Sequence, residues 1–226
     1  MKRKILTLLL ALAMVLTMLP TTVLAADGPM DTIPKYDVSI DVYNRTSDIS
    51  IKDSRSYYIY SSVPDKLRDT WAWDKKIFIK GDKTAPHVFI DGVNIEMSPS
   101  SKGPAIELNK KASAYIYFIG KNSSLQGADG RAAIQKNRSE GQLYVLARTG
   151  TTVTCKGGDK AAGIGGSYAT RNISNGYYNG DMYGHGVNMH FGSQSNPDYW
   201  GGTIAAIGGR NGAGIGAGRG GAGEKL

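Results

Sequence analysis

The sequence predicts an all-β chain built as a right-handed parallel β-helix, a β-solenoid with coils of about 28 residues and an N-terminal β cap. Three observations point there. An isoleucine motif flanked by glycine and alanine recurs at near-constant spacing, apolar and polar residues alternate with a period of two in many short runs, and no 12-residue window carries a helical stripe.

The repeat is the strongest of the three. Gly103-Pro104-Ala105-Ile106 is echoed 28 residues on by Arg131-Ala132-Ala133-Ile134, and Ala128-Asp129-Gly130-Arg131-Ala132-Ala133-Ile134 is echoed 30 residues on by Gly158-Asp159-Lys160-Ala161-Ala162-Gly163-Ile164. The run ending Ile164-Gly165 returns as the run ending Ile215-Gly216 at an offset of 51, one coil plus an insertion. A coil this small cannot bury its own apolar side, so neighbours must stack at a strand spacing of roughly 4.8 Å and share one core. Ile106, Ile134, Ile164 and Ile215 then form a single inward stack. An antiparallel sandwich also uses many short strands, but it predicts no recurring Gly-Ile-Gly signature.

In chain order, residues 1–25 read as a secretory signal peptide: Lys2, Arg3 and Lys4, then an apolar stretch over 5–19, then Val23-Leu24-Ala25 ahead of Ala26. That stretch is shorter than the roughly 20 residues that span a bilayer, so cleavage is expected and no membrane span remains afterwards. Residues 26–35, with Gly28, Pro29 and Pro34, read as a linker. Residues 36–80 lack the glycine signature and read as the β cap; residues 81–226 carry the coils, interrupted by an insertion at about 167–200. Strands are expected at 38–42, 49–51, 57–60, 77–79, 88–90, 105–108, 115–119, 143–146, 153–155, 187–191 and 203–207. Residues 212–223 begin a further coil that stops at Leu226 without a polar cap, which suggests a piece of a longer reading frame.

Losing the leader lowers the net charge from +8 to +5. A modestly basic surface of this kind favours anionic wall polymers or acidic polysaccharides, and the absence of a dense Lys/Arg run argues against nucleic acid. The single cysteine, Cys155, excludes an internal disulfide, and its place in Val153-Thr154-Cys155 is inward, as for a small buried hydrophobe.

The segments Val88-Phe89-Ile90-Asp91-Gly92-Val93-Asn94-Ile95, Gly103-Pro104-Ala105-Ile106 and Gly120-Lys121-Asn122-Ser123-Ser124-Leu125 resemble secreted β-helical carbohydrate-binding domains of Gram-positive bacteria. Residues 161–166 and 212–218 are similar to the Gly-Ala-Gly-Ile-Gly-Gly repeats of surface proteins from the same organisms. The resemblance implies a secreted or wall-associated protein that binds cell-wall or plant-type polysaccharide, in some members with Ca2+.

For a site, the insertion gathers Tyr177, Tyr178, Tyr183, Tyr199 and Trp200 with Asp181 and His185, the flat aromatic faces and hydrogen-bonding partners that sugar rings require. Gly216, Gly218 and Gly221 match G-x-G-x-x-G, but the chain supplies no helix to receive a pyrophosphate. His87, His185 and His190 lack zinc-site spacing. Asp129 and Asp159 fall one coil apart in turns, where a ladder with Arg131 and Lys160 explains them as well as an acid and base pair does. The expectation is therefore a secreted or cell-surface polysaccharide-binding protein without a catalytic residue or resident metal. The alternatives are a polysaccharide lyase or glycoside hydrolase on the same fold, or a non-catalytic surface spacer.

Overall fold

The computed structural model describes residues 33–98, 103–109, 111–136, 140–168, 185–193, 196, 198–219 and 223–224. The predicted leader lies outside them. All elements below belong to the unit Pro34–Leu226.

The chain is all-β and runs through three parallel sheets. It opens with β1 (Val38–Asp41) in sheet I and β2 (Ile49–Ile51) in sheet II, followed by β3 (Ser56–Tyr60) in sheet I and β4 (Ile77–Ile79) in sheet II. Each later circuit adds one strand to sheet I, then III, then II. These are β5 (His87–Asp91), β6 (Asn94–Glu96) and β7 (Ile106–Leu108), then β8 (Ala114–Ile119), β9 (Ser123–Gln126) and β10 (Ile134–Gln135), then β11 (Leu143–Ala147), β12 (Thr152–Lys156) and β13 (Ile164–Gly165). A short β14 (Gly186–Val187) precedes β15 (Met189–Phe191) in sheet I, β16 (Thr203–Ile207) in sheet III and β17 (Ile215–Gly216) in sheet II; β18 (Gly223–Glu224) pairs with β14. Every ladder is parallel, so equivalent residues of successive circuits lie side by side.

Register explains the sequence pattern. Ile49, Ile77, Ile106, Ile134, Ile164 and Ile215 are consecutive partners in sheet II. The first five are at most 2% exposed, whereas Ile215 is 36% exposed because it sits on the sheet's terminal strand. The expected stack thus holds in register for Ile106, Ile134, Ile164 and Ile215, and the first three are also buried. Sheet I contributes the columns Tyr57–Val88–Ile116–Val145 and Ile59–Ile90–Phe118–Ala147, and sheet III contributes Ile95–Leu125–Cys155–Ala206. These interdigitate in one core, where each fully buried large apolar side chain stabilises by about 1.5–3 kcal/mol. Cys155 is wholly buried there, which pushes its thiol pKa up and leaves it a packing residue.

Residues 36–80 join sheets I and II in the same register as the later circuits, with β1 and β2 as terminal strands. In place of a sheet III strand they supply one bridge, Trp73 to Ile95, and the Trp73 indole donates to Arg45 O at 2.7 Å. Between Tyr60 and Trp73 the chain leaves the sheets and makes a single 3-10 turn, Asp65–Leu67.

The corners after sheet III are tight. Gly130, Lys160 and Asn211 are corresponding residues there, and all have φ between 63° and 73°. Just before them, Gly158 lies so close to the preceding circuit that a Cβ would stand 2.0 Å from Ala128 O.

Lys136 follows β10 and is 1% exposed, its Nζ donating to Glu140 O at 2.9 Å. Burial pushes its pKa down to about 8, with Glu140 opposing that shift. An unfolded lysine titrates near 10.5, so between these values the unfolded chain holds the proton that the folded chain has released, and stability rises with pH across that window. Below about pH 8 the cost of the buried ammonium is felt in full. Lys136→Met is therefore expected to stabilise the protein by about 1–3 kcal/mol at pH 7, a gain that shrinks toward zero by pH 10.5. Urea unfolding at both pH values measures it; a gain that does not change with pH counts against the assignment.

Candidate functional site

Two outer faces carry concentrated side-chain chemistry. The first is the polar face of sheet III. Outward residues Asn94, Ser124 and Thr154 are ladder partners across β6, β9 and β12, and Glu96, Gln126 and Lys156 form the next row. Asparagine side chains tie the rows together: Asn94 Oδ1 accepts from Ser124 N at 3.1 Å, and Asn122 Oδ1 accepts from Thr152 N at 2.8 Å.

Residues 63–72 turn this face into a groove. Arg68 fastens them, its guanidinium donating to Gly92 O at 3.0 Å and to Val63 O at 3.3 Å, while Asn94 Nδ2 donates to Arg68 O at 2.9 Å. Lys121 reaches across to Asp65 at 2.8 Å, and this ammonium, together with Arg68, holds the Asp65 carboxyl below its ordinary range. Under this wall lies a hollow of about 660 Å³ floored by Asn94, Ser124, Thr152 and Thr154. A hollow of about 140 Å³ beside Trp71 shares Asp69, Asn94 and Ser124 with it, and one of about 420 Å³ continues past Glu96 and Gln126 to Asp129. The three adjoin, making a trough that crosses three ladder-paired strands. Arg68 and Lys121 are engaged with the wall, while Asp69, Glu96 and Asp129 make no ion pair among the described residues. The trough offers amide, hydroxyl and carboxylate groups and one indole.

The second face is the outside of sheet I. Here His87, Tyr115, Tyr144 and His190 are ladder partners whose rings stack at 4.5–4.7 Å and within 15° of parallel. Beside them Tyr58, Phe89 and Tyr117 form a second column, in which Tyr58 donates to Asp91 at 2.9 Å and His87 Nδ1 shares a hydrogen bond with the Tyr117 hydroxyl at 3.0 Å. Burial and then the Asp91 carboxylate push the Tyr58 pKa up. In the His87, Tyr115, Tyr144 and His190 column the rings face one another along the ladder, so their faces are spent on each other.

Of the aromatic residues expected to bind sugar, Tyr177, Tyr178 and Tyr183 lie outside the described residues, as does Asp181. Trp200 packs on Tyr117 at 5.1 Å and so belongs to the flank of sheet I, not to the trough. Tyr199 meets Trp200 edge-on at 4.7 Å, with the Arg148 guanidinium over its ring at 5.2 Å. His185 immediately precedes β14, half-buried. Sequence reasoning missed the trough and the His87, Tyr115, Tyr144 and His190 column, although His87/Phe89 and Tyr115/Tyr117 show the same alternate spacing one circuit apart.

Asp129 and Asp159 occupy equivalent corners, where Gly130 N donates to Asp159 O at 3.0 Å, but the carboxylate of Asp159 pairs with Arg210 at 3.2 Å and Lys160 at 3.3 Å. Those cations hold its pKa low, with Arg210 foremost. Among the described residues no three His, Cys, Asp or Glu side chains are grouped to hold a metal ion. No described helix is long and apolar enough to cross a membrane.

No protein-family model, curated protein or solved structure matches this chain.

Proposed function

We propose that the three parallel sheets are the walls of a right-handed parallel β-helix and that the chain is a secreted or cell-surface polysaccharide-binding protein. The hand follows from the strong preference of parallel crossovers for right-handed connections. Export rests on the leader at residues 1–25, and kinship with secreted β-helical carbohydrate-binding domains of Gram-positive bacteria rests on the motifs quoted above.

The observation that carries the binding reading is the trough over sheet III. It is elongated across successive strands, as a polymer requires, and its floor of Asn94, Ser124 and Thr154 with Glu96 and Gln126 presents hydrogen-bond donors and acceptors for successive sugar hydroxyls. Trp71, half-buried in its side, supplies an apolar surface for a ring face.

The test is a glycan-array screen of the purified chain, followed by titration of the best polysaccharide with two variants. Glu96→Ala/Ser124→Ala/Gln126→Ala is expected to weaken binding tenfold or more, at about 1 kcal/mol per lost hydrogen bond, with the melting temperature unchanged. Trp200→Ala is expected to leave it within about twofold. The reverse pattern would move the site to the flank of sheet I, and a blank array from folded protein would leave the surface-spacer reading. Reducing ends released by the wild type and abolished in Glu96→Gln would instead mark a glycoside hydrolase.

A further inference from the structure

We propose that Lys52 and Lys80, on the outer side of sheet II, form an anion site that takes the carboxylate or sulfate group of an acidic polysaccharide, separate from the trough. The two residues directly follow the ladder partners Ile51 and Ile79, and Lys80 N donates to Ile51 O at 2.9 Å, so the parallel ladder extends to them. Asn109 N donates to Ile79 O at 2.9 Å and brings Asn109 alongside as the third member of the row. Two ammonium stems therefore rise from adjacent strands, a spacing of roughly 4.8 Å at the backbone. Like charges placed opposite each other destabilise a sheet, and a bound anion would reverse that effect.

Nothing in the described structure neutralises them. Neither lysine makes an ion pair, although Asp82 lines the same hollow of about 430 Å³, and the Asn109 amide makes no side-chain hydrogen bond among the described residues. Lys80 Nζ lies 4.9 Å over the ring of Phe78, which is half-buried next to it. Lys76, whose Nζ also lies 4.9 Å from that ring, is already paired with Glu107 at 2.7 Å. The hollow thus combines two cations that make no ion pair and an amide donor. That set suits a charged sugar, whose acid group takes the ammonium groups while a neighbouring hydroxyl meets the Asn109 amide. Two lysines without an arginine fork or a stacking array do not make a nucleic-acid surface.

The experiment measures binding of polygalacturonate, dextran sulfate and neutral dextran to the wild-type chain, to Lys52→Gln/Lys80→Gln, and to Lys35→Gln/Arg219→Gln, which removes the same charge elsewhere. The Lys52/Lys80 variant is expected to lose at least tenfold in affinity for polygalacturonate, dextran sulfate or both, and to show a flatter salt dependence, while the control pair changes less than threefold. The two acidic polymers tell carboxylate from sulfate. Its melting temperature at low salt should equal or exceed that of the wild type, because a repulsion has been removed. Equal losses in both variants, no binding of either acidic polymer by the wild type, or a lowered melting temperature would each overturn the proposal. The triple variant of the trough should keep its affinity for the acidic polymer, so failure of one site is distinguishable from failure of the other.

Discussion

Alanine at Gly158 is expected to destabilise the protein by at least about 3 kcal/mol, seen as a lower urea midpoint or as loss of soluble protein. The new Cβ would stand 2.0 Å from Ala128 O and 2.6 Å from Ala128 C, both backbone atoms of the preceding circuit. No rotamer relieves such a clash. The circuits would have to separate at a corner where Gly158 N donates to Arg131 O at 2.9 Å and Gly130 N donates to Asp159 O at 3.0 Å. Gly150 provides the comparison, because it has φ 82° but nothing within 4 Å of the position a Cβ would take. Alanine there should cost only the left-handed backbone strain, about 1–2 kcal/mol. Equal effects at the two positions would show that the close approach at Gly158 is not what the corner depends on.

Ile134→Ala is expected to cost about 2–5 kcal/mol, because Ile134 is fully buried between Ile106 and Ile164 in the sheet II column and closely packed surroundings collapse only partly around a deletion. Ile215→Ala, at the exposed end of the same column, should cost less than about 1 kcal/mol. Chemical denaturation of both variants checks the pair. A loss at Ile215 as large as that at Ile134 would mean that the end of the column is covered in solution.

The fold was legible where one-dimensional period and three-dimensional register coincide. The strands at 77–79 and 203–207 fall where alternation places them, and Ile106, Ile134 and Ile164 are ladder partners as their spacing implies. The first circuits were harder to read, because Ile49 and Ile77 carry the same spacing without the glycine punctuation that marks it later. The trough was hidden for a different reason. Asn94, Ser124 and Thr154 look like ordinary solvent-facing positions until residues 63–72 are folded over them, and the contact that does this joins the Arg68 guanidinium to Gly92 O, 24 positions away. No periodicity announces such a contact. Trp200 was picked out for its chemistry alone, and only its packing on Tyr117 assigns it a face.

The ladders also decide which changes of chain length this protein tolerates. Deleting Thr152 at the start of β12 would turn Val153 and Cys155 to solvent and carry Thr154 and Lys156 into the core, since side chains alternate along a strand. Adding residues at a corner does no such thing: the separation of sheet II partners grows from 30 residues between Ile134 and Ile164 to 51 between Ile164 and Ile215, and both pairs remain in phase. Lineages of this architecture should therefore diverge by splicing at corners and by gaining or losing whole circuits, with strand lengths nearly frozen.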